Sequence, residues 1–404
     1  LMQENDIDAL LVTGPGFHNP AMVYLTGGGH MTQADLIKKR GEPAVLFHAS
    51  MERDEAAKTG LATRSYADYP MKDLLAESGG DFERAFGLRY VRMFKDVNLT
   101  RGRVAVYGRS ELSSLLAVLP VMNEQLPEVE LVGFAKDPIF FRAMLTKDSD
   151  EIERIRRMSK ITTQVVGQVA DFLTHHPVRQ GVLVKPDGQP LTVGDVKGKI
   201  NLWLAEKGAE NPEATIFAIG RDGGVPHSSG NPEDEIRLGV PIVFDIFPCE
   251  AGGGYFSDFT RTWCLGYAPS EVQKLYDQVK SVYEQVVLSL EANHNAGEFQ
   301  DRTCDLFEAM GHKTIRQDPS VESGYVHSLG HGVGLNIHEK PWFGRKDDTS
   351  NALVPGSVFT IEPGLYYPDQ GMGVRLEDTY FVTDEGKFEK FVDYPMELVL
   401  EMKG

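Results

Sequence analysis

The chain has 404 residues, 41% hydrophobic and 25% charged, with a formal net charge of −18. That is the make-up of a folded protein too long for one ordinary core, so two domains are expected. The acid excess argues against nucleic acid and anionic membrane surfaces as partners, and no apolar run reaches the roughly 20 residues of a membrane span.

In chain order, residues 9–13, 44–48, 104–107 and 129–134 read as short apolar strands, and residues 110–126 repeat apolar side chains at helical spacing. Together they predict a compact α/β unit with a mixed or parallel sheet. The composition turns polar over residues 137–150. Residues 151–173 then place Ile155, Met158, Val165 and Val169 on one face of an amphipathic helix. The domain boundary is set just before it, giving domains 1–144 and 145–404. Two more helices are predicted over 191–207 and 271–292, and a loop over 175–189 that leaves His175 and His176 to solvent. The remainder of the second domain is strand-rich and punctuated by glycine. Three cysteines, Cys249, Cys264 and Cys304, form no CxxC pair. Their odd number argues against a disulfide framework and fits a reducing compartment, the cytoplasm. The first residue is Leu1 rather than Met, consistent with a native start further upstream.

Four runs in the second domain carry chemistry. Pro241-Ile-Val-Phe-Asp245 enters a glycine turn at Gly252 to Gly254, and Tyr255-Phe-Ser-Asp258-Phe-Thr-Arg-Thr262 returns. This predicts a β-hairpin with Asp245 and Asp258 on one face. Alone, the pair could equally be a strand-end and a turn aspartate with local hydrogen bonds. His327-Ser-Leu-Gly-His331-Gly-Val-Gly-Leu-Asn-Ile-His338 spaces three histidines by four and seven, which on a helix would stack them. Gly330, Gly332 and Gly334 oppose a helix at about 1 kcal/mol each, so a strand or loop letting the backbone approach a ligand closely is expected. Glu362 ends an apolar run before Pro363-Gly364; by itself it could simply cap that turn. Val374 to Val382 alternates so that Arg375 and Glu377 share a face and Asp378 takes the other. The bland reading there is a solvated ion pair. Taken together, four carboxylates and an imidazole are the donor set of two hard-to-borderline divalent cations.

The words Gly-Tyr-Phe-Ser-Asp258-Phe-Thr-Arg-Thr, Gly-His331-Gly-Val-Gly, Thr-Ile-Glu362-Pro-Gly-Leu-Tyr and Val-Arg-Leu-Glu377-Asp resemble, in this order, the metallopeptidases of the pita-bread fold. These include Xaa-Pro aminopeptidases, prolidases and methionine aminopeptidases. The run Asn19-Pro-Ala-Met-Val-Tyr24 is similar to the N-terminal domain of the creatinase and prolidase branch, which methionine aminopeptidases lack. The resemblance implies an α/β N-terminal domain, an α+β pita-bread catalytic domain, and hydrolysis of the Xaa-Pro bond at the N-terminus of peptides with proline second. It implies two divalent cations, manganese foremost and cobalt or zinc as alternatives. Asp258 and Glu377 would bridge the two, Asp245 would complete one site, and His331 and Glu362 the other. It further implies that His338 contacts the scissile group, that His227 is a second substrate-facing histidine, that His327 and Arg375 line the pocket, and that the protein is a homodimer. A general mechanism adds Glu362 as proton carrier to the departing nitrogen, and Arg345 as anchor for a dipeptide carboxylate.

The spacing departs from the family in one place. The two aspartates are usually eleven residues apart, whereas here the gap is thirteen, and position 247 is Phe. An insertion of two preserves the facing of Asp245 because strand facing repeats every two residues; Glu250 is the rival carboxylate. Three other readings stand beside the aminopeptidase: a prolidase restricted to dipeptides, a metal-independent creatinase-like amidinohydrolase, and a non-catalytic binding module.

Overall fold

The computed structural model describes every residue except Arg345, Asp347 and Gly404. The expected carboxylate anchor Arg345 therefore lies outside the described residues. The chain divides into two compact units, one of Leu1–Ala143 with the turn Gly252–Gly254, the other of Met144–Ala251 with Tyr255–Gly404.

The first unit is a six-stranded mixed sheet, in the order Ala62–Ser65, Val45–His48, Ala34–Lys39, Ala9–Gly14, Gly102–Gly108, Val129–Val132. Ala9–Gly14 runs parallel to Gly102–Gly108 and antiparallel to Ala34–Lys39. The helix Phe82–Asp96 starts at Asp81, whose side chain accepts from the Arg84 amide at 2.9 Å, a standard N-cap. Its buried face, including Leu88, Val91 and Phe94, packs on the sheet with Val118 and Met122 from the helix Leu112–Gln125.

In the second unit the predicted 151–173 helix spans Ser149–Thr174. It is fixed by a capping box in which Asp148 and Glu151 satisfy each other's amides. The helix Val193–Glu206 uses the same device with Thr192 and Asp195. These two cover one face of a four-stranded sheet, ordered Ile216–Ile219, Ile242–Ile246, Phe259–Leu265, Val399–Leu400, through Val165, Ile200, Phe217 and Phe244. The helices Ser270–Leu288 and Ala296–Ala309 cover a five-stranded sheet, ordered Glu339–Trp342, His331–Gly332, Val358–Ile361, Asp378–Val382, Phe388–Lys390, through Val282, Phe307 and Phe359. The antiparallel bridge of Thr260 to Glu377 and the Arg261–Asp378 ion pair at 2.8 Å tie the two sheets together.

One expectation needs correcting. The 175–189 loop contains a small hairpin, Val178–Arg179 against Val182–Leu183, turned by Gln180 and Gly181 at φ 52° and 79°. His175 is exposed, as expected, and His176 partly so. Their Nδ1 atoms donate to the Asp171 and Phe172 carbonyls at 2.7 and 2.6 Å, which closes the end of the preceding helix. All three cysteines are free and buried, and no helix among the described residues is long and apolar enough to cross a membrane.

Candidate metal centre

The strands Ile242–Ile246 and Phe259–Leu265 pair antiparallel with Asp245 opposite Thr260 and Ile246 opposite Phe259. Alternation then puts Asp245, Asp258 and Thr260 on one face. Glu377 reaches the same patch across the bridge to Thr260, whose hydroxyl donates to Glu377 Oε2 at 2.6 Å. Asp245, Asp258 and Glu377 are 8%, 5% and 1% exposed. Three of their oxygens, Asp245 Oδ1, Asp258 Oδ1 and Glu377 Oε1, are buried with no hydrogen-bond partner.

The histidine run forms no helix. His331–Gly332 is a two-residue strand between Glu339–Trp342 and Val358–Ile361. The glycines answer to their neighbours: a Cβ at Gly330 would stand 2.1 Å from the Thr360 carbonyl oxygen, and one at Gly332 would stand 2.0 Å from that of Lys340. The His331 amide donates to Thr360 Oγ1 at 3.1 Å, and Nδ1 donates to the Gly332 carbonyl at 3.0 Å. That leaves the Nε2 lone pair facing Asp258 Oδ2 at 3.5 Å and Glu362 Oε1 at 3.3 Å. Burial and the neighbouring His338 hold the His331 pKa down at about 3, so the ring is neutral. Burial and the facing carboxylates raise Asp258 and Glu377 above the ordinary carboxylate range and Glu362 to about 8. Acceptors thus crowd acceptors in low dielectric, an arrangement that a cation relieves. Donor atoms of Asp258, His331 and Glu377 all lie within 4.8 Å of one another.

The rival Glu250 is occupied elsewhere. It lies on the short strand Cys249–Glu250, takes Arg154 Nη2 at 2.6 Å and Nε at 3.1 Å, and accepts the Tyr255 amide. Asp245 is the aspartate that faces the cluster, as the parity of a two-residue insertion requires.

Arg375 is only 2% exposed, so the pair it makes is no solvated one. It donates to Asp245 Oδ2 at 2.5 Å, to the Tyr366 hydroxyl at 2.7 Å, to Thr260 Oγ1 at 3.3 Å and to the Pro226 carbonyl at 3.2 Å. With its oxygen accepting from Arg375, Tyr366 donates to His327 Nε2 at 2.9 Å, and His327 Nδ1 donates to the Ser328 carbonyl at 2.7 Å. Burial and the Arg375 charge hold His327 neutral, at about 3. Tyr366 and Thr260 were assigned no role from the sequence. Tyr366 follows the Glu-Pro-Gly turn on the strand Gly364–Tyr367, but its partner His327 lies 39 residues back along the chain. His338 is exposed with its ring 4.3 Å from that of His331, and His227, also exposed, lines the same cavity of ≈ 360 Å³ together with all five acidic and imidazole groups.

A family model described as metallopeptidase family M24 matches residues 153–384, more than half of the chain. "Probable dipeptidase PepE" of Mycobacterium tuberculosis is 29% identical, over 93% of this chain and 88% of its own length. "Xaa-Pro dipeptidase" of Pyrococcus furiosus is 29% identical, over 62% of this chain and 64% of its own. Among solved structures, a dipeptidase from Pyrococcus horikoshii superposes with a TM-score of 0.74 at 22% identity, covering 98% of this chain and 97% of that one. An X-Pro aminopeptidase from Thermotoga maritima gives 0.72 at 21%, over 98% and 97%. The chain has the two-domain pita-bread fold of these proteins.

Proposed function

The chain belongs to metallopeptidase family M24, and from that premise we propose that it is an exopeptidase cleaving the bond before proline, with Xaa-Pro dipeptides as its substrates. That it is a peptide hydrolase using divalent cations follows from the family. The narrower reading is ours. Relatives named dipeptidase and Xaa-Pro dipeptidase favour the dipeptide alternative over the longer-peptide aminopeptidase expected first.

The observation that carries the reading is the set of buried, unpartnered oxygens of Asp245, Asp258 and Glu377, with donor atoms of Asp258, His331 and Glu377 within 4.8 Å of one another. Buried polar atoms are nearly always paired, so several bare acceptors together fit a site built for positive charge. Asp258 and Glu377 would hold both cations, Asp245 one of them, and His331 with Glu362 the other. Bound there, the cations supply a water acidified toward neutral pH and polarise the substrate carbonyl.

The chain's own groups do the rest. Arg375 fixes the Asp245 carboxylate, and Tyr366 fixes both Arg375 and His327. The Nδ1–H of His331 is spent on Gly332, so Nε2 is its ligating nitrogen. His338 and His227, at the cavity mouth, offer N–H groups to the oxygen that gains charge as the carbonyl is attacked. Glu362, whose Oε1 lies 3.3 Å from His331 Nε2 in the same cavity, would carry a proton to the departing proline nitrogen.

The deciding experiment compares turnover of Ala-Pro with that of a pentapeptide beginning Ala-Pro, in protein loaded with Mn(II), Co(II) or Zn(II) and in protein stripped by a chelator. Faster turnover of the dipeptide, lost on chelation, supports the proposal. Preference for the pentapeptide returns the aminopeptidase, and indifference to chelation would point to creatinase-like chemistry.

A further inference from the structure

The aspartate hairpin is longer than the family spacing, and the extra residues have a destination. Past Ile246 the chain passes Phe247 and enters the strand Cys249–Glu250, which pairs antiparallel with Ala209–Glu210. The segment leaving Ala209–Glu210 is held in place at once. Asn211 Nδ2 donates to Asn201 Oδ1 and Thr215 Oγ1, both at 2.9 Å. Ala214 adopts φ 64°, a conformation a non-glycine residue keeps only where its surroundings enforce it. The segment then becomes the strand in which Ile216 sits directly opposite Asp245.

Ile216 and Phe247 therefore flank Asp245, and both line the cavity together with Glu213. Glu213 is exposed and pairs with no cation among the described residues, while its charge reaches His338. The one cation in that lining, Arg375, is already taken by Asp245 and Tyr366. An apolar wall ending in a free carboxylate matches a side chain with an aliphatic stem and a positive tip.

We propose that Phe247, Ile216 and Glu213 form the pocket for the side chain of the substrate's first residue and select Lys or Arg there. The stem lies on Phe247 and Ile216, and the ammonium or guanidinium meets Glu213. An acidic first residue meets the like charge of Glu213. This rests on the Xaa-Pro reading above and names its substrate class.

The test uses Arg-Pro and Glu-Pro with Mn(II)-loaded wild type, Glu213→Gln and Glu213→Lys. The kcat/KM ratio of Arg-Pro over Glu-Pro is expected to be about fivefold in wild type, near one in Glu213→Gln, and inverted in Glu213→Lys. The change should fall in KM and weaken with added salt. Phe247→Ala is expected to raise KM for Arg-Pro and Leu-Pro alike. A ratio unmoved in Glu213→Lys overturns the pocket. Calorimetric binding of the same dipeptides reads the ratio without turnover. A charge-dependent binding ratio without hydrolysis overturns the proposed reaction and leaves the pocket standing, whereas equal binding overturns the pocket.

Discussion

Both units bury aspartates, and they treat them differently. In the first, Asp35 is 1% exposed and closes its valences within the sheet layer: Tyr66 donates to one oxygen at 2.7 Å and Tyr90 to the other at 3.0 Å. In the second, Asp378 is closed as well, by Arg261 at 2.8 Å, Lys390 at 3.0 Å and the Tyr283 hydroxyl. Its neighbour Glu377 points the other way and leaves Oε1 bare beside the equally bare Asp258 Oδ1. Burial alone does not mark a functional acid; a buried acid whose hydrogen bonds remain open does.

The comparison breaks most plainly by substitution. Asp258→Asn and Glu377→Gln should each cost about a thousandfold or more in kcat/KM and lose bound metal by mass spectrometry, while Asp35→Asn keeps both within about twofold. Equal losses from the two units would dissolve the distinction.

Next in size, Arg261→Met leaves Asp378 buried without its guanidinium. The expected loss of stability is about 3–5 kcal/mol, read as a lower urea midpoint at unchanged slope.

The pH response follows from Glu362, whose pKa rises from an ordinary 4.5 to about 8 on burial. A carboxyl with a raised folded pKa favours the folded state fully below its unfolded value, and that contribution is lost as pH climbs through the folded one. Metal-free protein should therefore lose stability between pH 4.5 and 8. Because cations bind the ionised form, the rise in Tm on adding Mn(II) should grow over the same window, to roughly 5–15 °C. A rise independent of pH would contradict the placement of Glu362.

Tyr366→Phe removes the hydroxyl between Arg375 and His327, with an expected loss of about tenfold in kcat and metal content unchanged. Smallest of all, Glu250→Gln breaks only the contact with Arg154 and should leave metal content intact within about 1 kcal/mol of wild-type stability. Loss of metal there would move the aspartate role from Asp245 to Glu250.

The sequence made facing legible wherever strands alternate: Asp245 with Asp258, and Arg375 with Glu377 against Asp378, follow from a period of two. The helices Ser149–Thr174 and Val193–Glu206 were legible from apolar spacing, to within two residues at either end, while their caps Asp148 and Thr192 emerged only with the fold. Strands such as Ala62–Ser65 were not, because every residue in it is at least partly exposed and no apolar alternation survives. Nor was Ala34–Lys39, whose two terminal lysines dilute the pattern. The glycines around His331 signalled close approach, but the groups that approach Gly330 and Gly332 are the chain's own carbonyls rather than the ligand expected. Tyr366 stayed hidden because its role depends on His327, 39 residues away, and a hydrogen bond at that separation leaves no periodic trace.

The buried thiols have a practical consequence. Cys249 and Cys264 are pushed up to about 12 by burial, and burial raises Cys304 too, so none offers an accessible thiolate at neutral pH. Maleimide dyes should therefore pass the native chain by. One cysteine engineered onto the surface would take a fluorophore alone, giving a clean reporter for watching dipeptides enter the cavity.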